Sequence, residues 1–255
     1  MKIFVLNLKS KYKWVGIGIK FVAVILLILT ISKTASGIYI SSDKYKETLS
    51  AVTEKATVII DAGHGGEDSG AIGVNGAYEK DLNLMIANEL GKILSENGFA
   101  VIYTRTTDAL LYTEEENIYG IRKISDLKNR CKFGAEYPNA IYLSIHMNSY
   151  RSASCTGLQV YYSENNSQSY ALASAVQTSV KSKIQTSNKR KVKPGKDMYL
   201  LENLSNPAIL IECGFLTNPY ECEKLSEKEY QKELSFSIFC GIIEYISKGE
   251  QNRKD

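Results

Sequence analysis

The chain contains only two histidines, and each lies at or just past the end of a short apolar run. His64 lies in VIIDAGHGG (58–66) and His146 in LSIHMNS (143–149), with small or polar residues around both. A single histidine is more often structural than functional. Neutral imidazole is, however, the commonest type of zinc ligand in proteins. Two histidines in equivalent positions therefore indicate a metal site, with a purely structural role as the alternative.

A third ligand has to come from elsewhere, because catalytic zinc usually has three protein ligands. Glu79, in the segment AYEKD (77–81), opens a predicted helix and would point toward the strand ends. Two histidines and one glutamate form a common ligand set. Asp81 competes for this role, since spacing gives Glu79 only a modest advantage. Either acid could instead complement the positive end of the helix dipole.

Glu212 ends the apolar run Ala208–Ile211, which is typical of a central strand. A carboxylate there is costly unless it is paired, hydrogen-bonded or in a wet site. If this strand lies beside those of the histidines, Glu212 faces the metal, where a glutamate acts as general base in metal-assisted hydrolysis. The alternative is a buried salt bridge to an arginine such as Arg105 or Arg190.

The elements that would position these residues alternate between strand and helix. The strands are predicted from short runs rich in Val, Ile, Leu or Tyr: Thr57–Asp61, Phe99–Thr104, Ile141–Ile145, Leu158–Tyr162, Met198–Leu201 and Ala208–Cys213. The helices are predicted at Tyr78–Asn97, Ile121–Phe133, Ser169–Ile184 and Glu229–Ile246. This alternation indicates an α/β fold, with helices flanking a mostly parallel sheet.

Charge and composition exclude several classes of protein. The 255 residues are 44% hydrophobic and 23% charged, as in an ordinary globular protein. The net charge is +3, but the first twenty residues hold five lysines and no acid, so the remainder is slightly acidic. A nucleic-acid-binding protein would keep a basic excess in its folded part, and we expect no nucleic-acid partner.

The first residues predict export. The apolar run Phe21–Ser32 follows the lysine cluster and is intermediate in length between a signal peptide and a membrane-spanning helix. We therefore expect residues 1–37 to be a signal peptide or a membrane anchor, residues 38–55 a tether, 56–248 a single catalytic domain and 249–255 a polar tail. Either form of the first segment places the domain outside the cytoplasm, membrane-anchored or secreted.

Four motifs, taken in order, resemble those of the zinc-dependent N-acetylmuramoyl-L-alanine amidases, which cleave cell-wall peptidoglycan. They are IDAGHGG (60–66) with Asp68 and Gly70-Ala71, then Glu79, then SIHMNS (144–149), then ECGFLTN (212–218). The resemblance runs from about Thr57 to Ile246. It implies a twisted six-stranded sheet flanked by helices.

The resemblance also implies roles. His64, Glu79 and His146 would bind Zn²⁺, which selects Glu79 over Asp81, and Glu212 would be the catalytic carboxylate. The reaction would be hydrolysis of the amide between the lactyl group of N-acetylmuramic acid and L-alanine. Asp61 and Asn148 lie beside the ligands and could orient them, or could be ordinary polar residues at strand ends.

The layout is most similar to the spore-cortex (CwlD-type) amidases, which prepare peptidoglycan for muramic-δ-lactam formation. This resemblance implies a location in the cell wall or the spore-cortex space. We expect no separate wall-binding domain, and therefore targeting through the membrane segment or an accessory activator protein. Three alternatives remain. The first is a membrane-tethered wall-binding or scaffold protein with an inactive site, the second a zinc peptidase of the stem peptide, and the third a zinc-free carboxylate enzyme.

Overall fold

The computed structural model of the protein describes residues 56–118 and 120–251. The predicted export segment and tether lie outside the described residues, as do residues 252–255. Within the described ranges, no helix is both long enough and apolar enough to cross a membrane.

The six strands form one sheet in the order β2-β1-β3-β6-β4-β5. Their bounds are β1 Thr57–Ala62, β2 Ala100–Tyr103, β3 Ile141–Asn148, β4 Gln159–Tyr162, β5 Lys193–Pro194 and β6 Ala208–Phe215. Strands β2, β1, β3 and β6 are mutually parallel, whereas β4 runs antiparallel to β6 and carries β5 parallel to itself. The predicted α/β fold with a six-stranded, mostly parallel sheet is confirmed.

In the part of the chain that the structure describes, six α-helices flank the sheet: α1 Glu79–Glu96, α2 Arg122–Ala135, α3 Ser169–Lys183, α4 Tyr199–Asn203, α5 Pro219–Ser226 and α6 Lys228–Gln251. The four predicted helices agree with α1, α2, α3 and α6, although α6 continues past Ile246. One face of the sheet packs against apolar side chains of α1, α3 and α6, and the opposite face against those of α2 and α4. Alternate residues of the central strands enter the two cores, as in a sheet buried on both sides.

The predicted strand Met198–Leu201 is wrong, because these residues enter the short helix α4. Asp197 turns the chain with a φ of 63°, and Leu200 and Leu201 are buried in the second core. A run of four apolar residues fits either a strand or a helical turn, and the tertiary contacts decide between them. The fifth strand is instead Lys193–Pro194, an edge position where the missing N–H of proline is tolerated.

Helix α5 was absent from the predictions, although its start carries a recognisable signal. The side chain of Asn218 accepts a hydrogen bond from the Glu221 N–H at 3.1 Å, and Pro219 follows as the first helical residue. Asparagine as the N-cap followed by proline is a common helix start. Helix α5 begins shortly after the end of β6, the strand that carries Glu212.

Candidate metal centre

Three separate elements bring His64, Glu79 and His146 together. His64 follows β1, His146 lies in β3, and Glu79 is the first residue of α1. Because β1 and β3 are parallel neighbours, their carboxyl ends meet at one edge of the sheet, where α/β proteins build their sites. The two imidazole rings lie edge to face, with centroids 4.9 Å apart.

The three side chains converge on one point. Glu79 Oε1 lies 3.2 Å from His64 Nε2 and 3.0 Å from His146 Nδ1. Among the described residues, these three form the group whose ligand atoms, one from each, lie within 4.8 Å of one another. Asp81 is not part of that group. Two imidazole nitrogens and one carboxylate oxygen suit a zinc ion with an open coordination position.

Each ligand is held by further contacts that sequence reasoning did not assign. His64 Nδ1 lies 2.7 Å from Asp68 Oδ2, and Lys123 Nζ donates to Asp68 Oδ1 at 2.9 Å. A proton on His64 Nδ1 leaves the Nε2 lone pair free for a metal. Asp68 lies four residues after His64, a spacing that could have signalled the contact.

Glu79 and His146 are fixed largely by the backbone. Glu79 Oε2 accepts the Ala71 N–H at 2.8 Å, and Oε1 accepts the Met147 N–H at 3.1 Å. His146 stacks against Gly63 so closely that a Cβ at that position would lie 2.1 Å from Nε2. Only glycine at position 63 leaves room for the imidazole in this orientation.

Contacts within this group of side chains shift the pKa values of Glu79 and His64. Burial opposes the charged form of Glu79, but hydrogen bonds from His146 and His64 outweigh it and hold its pKa well below the usual range. Burial likewise lowers the pKa of His64, and the contacts with Asp68 and Glu79 outweigh it, raising this pKa to about 9. Binding of a divalent cation by Glu79 and the histidines would release the protons that these side chains hold.

Glu212 lies on β6, opposite His146 in the register with β3. Its Oε2 is buried and, within the described residues, has no hydrogen-bond partner. Burial raises the pKa of Glu212 to about 7, an effect that nearby Glu79 adds to and His146 opposes. A buried carboxylate oxygen without a partner is uncommon in native proteins, and together with the raised pKa it makes Glu212 a candidate functional residue.

The salt bridge considered for Glu212 does not form with either arginine. The Arg105 guanidinium donates to backbone carbonyls, including those of Ala62 and Gly63. Arg190 donates to the Thr156 carbonyl, and its guanidinium lies 4.5 Å from the centre of the Phe215 ring. Glu212 therefore places a carboxylate oxygen without a hydrogen-bond partner on the strand next to that of His146.

Asp61 and Asn148 were expected either to orient the ligands or to be ordinary polar residues at strand ends. Asp61 bonds to neither histidine; it accepts hydrogen bonds from Arg130, Ser144 and Thr104. The backbone carbonyl of Asn148 accepts the Leu216 N–H at 2.9 Å and joins the end of β3 to the segment after β6. None of these four contacts was predicted, because all the partners are distant in sequence.

The chain belongs to the N-acetylmuramoyl-L-alanine amidase family, whose sequence profile matches residues 58–244. It is 32% identical over 241 residues to the germination-specific N-acetylmuramoyl-L-alanine amidase of Bacillus subtilis, covering 94% of this chain and 98% of that relative. The structure resembles the CwlD amidase of Clostridioides difficile, solved in complex with the GerS lipoprotein, with a TM-score of 0.72 and 37% identity. That match covers 76% of this chain and 99% of the other.

A second solved amidase structure is also similar to this chain. The amidase AmiC2 of Nostoc punctiforme matches with a TM-score of 0.65 and 31% identity, covering 76% of this chain and 99% of that one. The family identified from four sequence motifs is therefore confirmed by sequence and by fold.

Proposed function

We propose that the protein is a zinc-dependent N-acetylmuramoyl-L-alanine amidase that hydrolyses the amide between the lactyl group of N-acetylmuramic acid and L-alanine in peptidoglycan. The convergence of His64, Glu79 and His146 beside the unpartnered Glu212 carries this proposal. Family membership supports the substrate. The three converging residues would hold the zinc ion and Glu212 would be the catalytic carboxylate.

Glu212 has the properties that the proton transfers require. A general base works best when its pKa lies near the operating pH, and burial brings the pKa of Glu212 to about 7. It would take a proton from the attacking water and return it to the amine of the departing L-alanine. A bound zinc ion supplies Lewis-acid activation of the scissile carbonyl and of water.

The biological setting that we propose is the spore cortex, where removal of the peptide prepares muramic acid for δ-lactam formation. The similarity to a germination-specific amidase over nearly the whole chain supports this setting. So does the similarity to the CwlD amidase. We further propose that residues 1–37 export the protein and place it outside the cytoplasm, either anchored in the membrane or released.

An accessory partner is part of the proposal. The CwlD amidase was solved in complex with a lipoprotein, which supports a comparable partner for this chain. Full activity and full zinc occupancy of the purified protein alone would count against it.

The test is mass spectrometry of purified cortex peptidoglycan after incubation with the full-length protein and zinc. We expect intact stem peptides beginning with L-alanine and sugars with a bare lactyl group. The matched control, Glu212→Gln, should bind zinc and release nothing. Cleavage within the stem peptide would identify a zinc peptidase. No release by a protein that holds no zinc would indicate that the accessory partner is missing, whereas no release by zinc-loaded protein would identify an inert scaffold.

A further inference from the structure

A buried ion network lies behind the metal centre. Arg130, on α2, is 1% exposed and donates to Asp61 through Nη1 and to Asp126 Oδ2 through Nε at 2.8 Å. Asp126 also accepts the Leu111 N–H, and Asp61 accepts the hydroxyl groups of Thr104 and Ser144. These contacts compensate the buried charges, but they do not use every donor of the guanidinium.

The remaining donors of Arg130 bind the backbone of the metal loop, the segment Ala62–Asp68. Nη1 donates to the Ala62 carbonyl and Nη2 to the His64 carbonyl, each at 2.9 Å. Arg105 approaches the same loop, with Nε 2.8 Å from the Ala62 carbonyl and Nη2 3.0 Å from the Gly63 carbonyl. Three consecutive carbonyl groups, from Ala62 to His64, thus accept hydrogen bonds from two arginines.

The backbone at His64 requires such restraint. Its φ is 61°, in the left-handed region that a residue with a Cβ rarely adopts. A conformation of this kind persists only where surrounding contacts impose it. The direction of the imidazole depends on this backbone, because a change at φ would swing Nε2 away from Glu79.

We propose that Arg130, assisted by Arg105, is a positioning residue of the metal centre. It holds the carbonyl groups of Ala62 and His64 so that the left-handed His64 aims Nε2 at Glu79 and His146. Arg130 acts through His64 and does not contact the metal position itself. The inference rests on the proposed zinc site and assigns part of its preorganisation to α2.

Arginine suits this role better than lysine. The planar guanidinium reaches Asp61, Asp126 and two carbonyl groups at once, in a fixed geometry. A lysine would retain the positive charge beside the two aspartates, but its single nitrogen could not span all four partners. Arg130→Lys therefore keeps the positive charge beside the two aspartates but removes part of the restraint on the loop, so it tests the second role apart from the first.

The experiment compares full-length Arg130→Lys with the wild type, both purified in mild detergent. We expect zinc affinity, measured by competition titration, to fall roughly 10- to 100-fold, as for other residues that orient metal ligands. The absorption spectrum of the cobalt-substituted protein should change. In metal-free protein, hydrogen exchange in a peptide covering residues 62–68 should become faster.

The matched control is Thr104→Val, which removes one hydrogen bond to Asp61 and leaves the loop contacts of Arg130 in place. It should lower the melting temperature while zinc affinity and loop exchange stay at wild-type values. A merely structural role for Arg130 predicts that the two variants behave alike.

Zinc affinity and loop exchange unchanged in a folded Arg130→Lys protein would overturn the inference. If that variant does not fold, Arg105→Lys is tested by the same two measurements and the same criterion. A wild-type protein that bound no zinc, either alone or with its accessory partner, would overturn the proposed function, and exchange in the metal-free loop would still decide the inference about Arg130.

Discussion

Glu212 and His146 are paired residues in the register of the two central strands β6 and β3. Side chains at paired positions of neighbouring strands project to the same face of a sheet, so the register places the carboxylate next to the imidazole. A slip of one residue would turn Glu212 to the opposite face. The register shifts only after this pair, between His146 and Asn148.

Replacing Glu212 by glutamine should separate chemistry from metal binding. The amide has nearly the same shape but cannot accept a proton at neutral pH, so we expect turnover to fall roughly 100- to 10,000-fold. Zinc content, measured by atomic emission, should match that of the wild type. The exposed Glu229→Gln serves as the control and should keep full activity; an active Glu212→Gln would disprove the assignment of the base.

The same substitution should change how stability depends on pH in the metal-free protein. Burial raises the pKa of Glu212 from 4.5 to about 7, so the folded state holds its proton more tightly than the unfolded state. The free energy of unfolding then falls as pH rises from 4.5 to 7, by about 3 kcal/mol from this group, and the loss persists above pH 7.

Glu212→Gln lacks this loss, so its stability advantage over the wild type should grow between pH 4.5 and 7 and then level off. Urea unfolding of both proteins at several pH values measures the difference. A constant offset across that range would show that Glu212 is not desolvated as the structure indicates.

Zinc binding should strengthen as pH rises toward 9. In the metal-free protein the contacts with Asp68 and Glu79 raise the pKa of His64 to about 9, so a metal must displace a proton from this ring below that pH. One released proton corresponds to roughly a tenfold gain in affinity per pH unit. Competition titrations between pH 6 and 9 measure the slope, and a flat profile would contradict it.

Gly63→Ala should disable the metal centre without unfolding the domain. A methyl group at position 63 would lie 2.1 Å from His146 Nε2, so the imidazole has to leave its position. We expect zinc affinity to fall roughly 10-fold or more. Gly249→Ala is the matched control, because no atom lies within 4 Å of its added Cβ. Equal zinc affinity in the two variants would show that His146 is dispensable.

Residues next to strands were the easiest part of the site to predict. His64 and His146 stand beside apolar runs that become β1 and β3, so parallel pairing alone brings them to one edge. Spacing could not choose between Glu79 and Asp81, because both lie in the first turn of α1. Only the packed helix shows which carboxylate faces the histidines.

Arg130 was beyond the reach of sequence reasoning for a different reason. Its acceptors on the metal loop are backbone carbonyl groups, which every residue possesses and which leave no pattern in the sequence.

The short secondary-structure elements were difficult to predict because of their length. Lys193–Pro194 and Tyr199–Asn203 have too few residues to show a period, and tertiary contacts determine their conformation.

The three converging side chains come from β1, α1 and β3, so they meet only after these elements have packed. An unfolded chain has no preformed cage for a divalent ion. An ion that binds only the native state stabilises it by mass action. The free energy of unfolding rises by about 2.7 kcal/mol when the free metal concentration is one hundred times the dissociation constant. Metal availability in the surrounding medium would therefore set how long the protein survives proteolysis, independently of how fast it works.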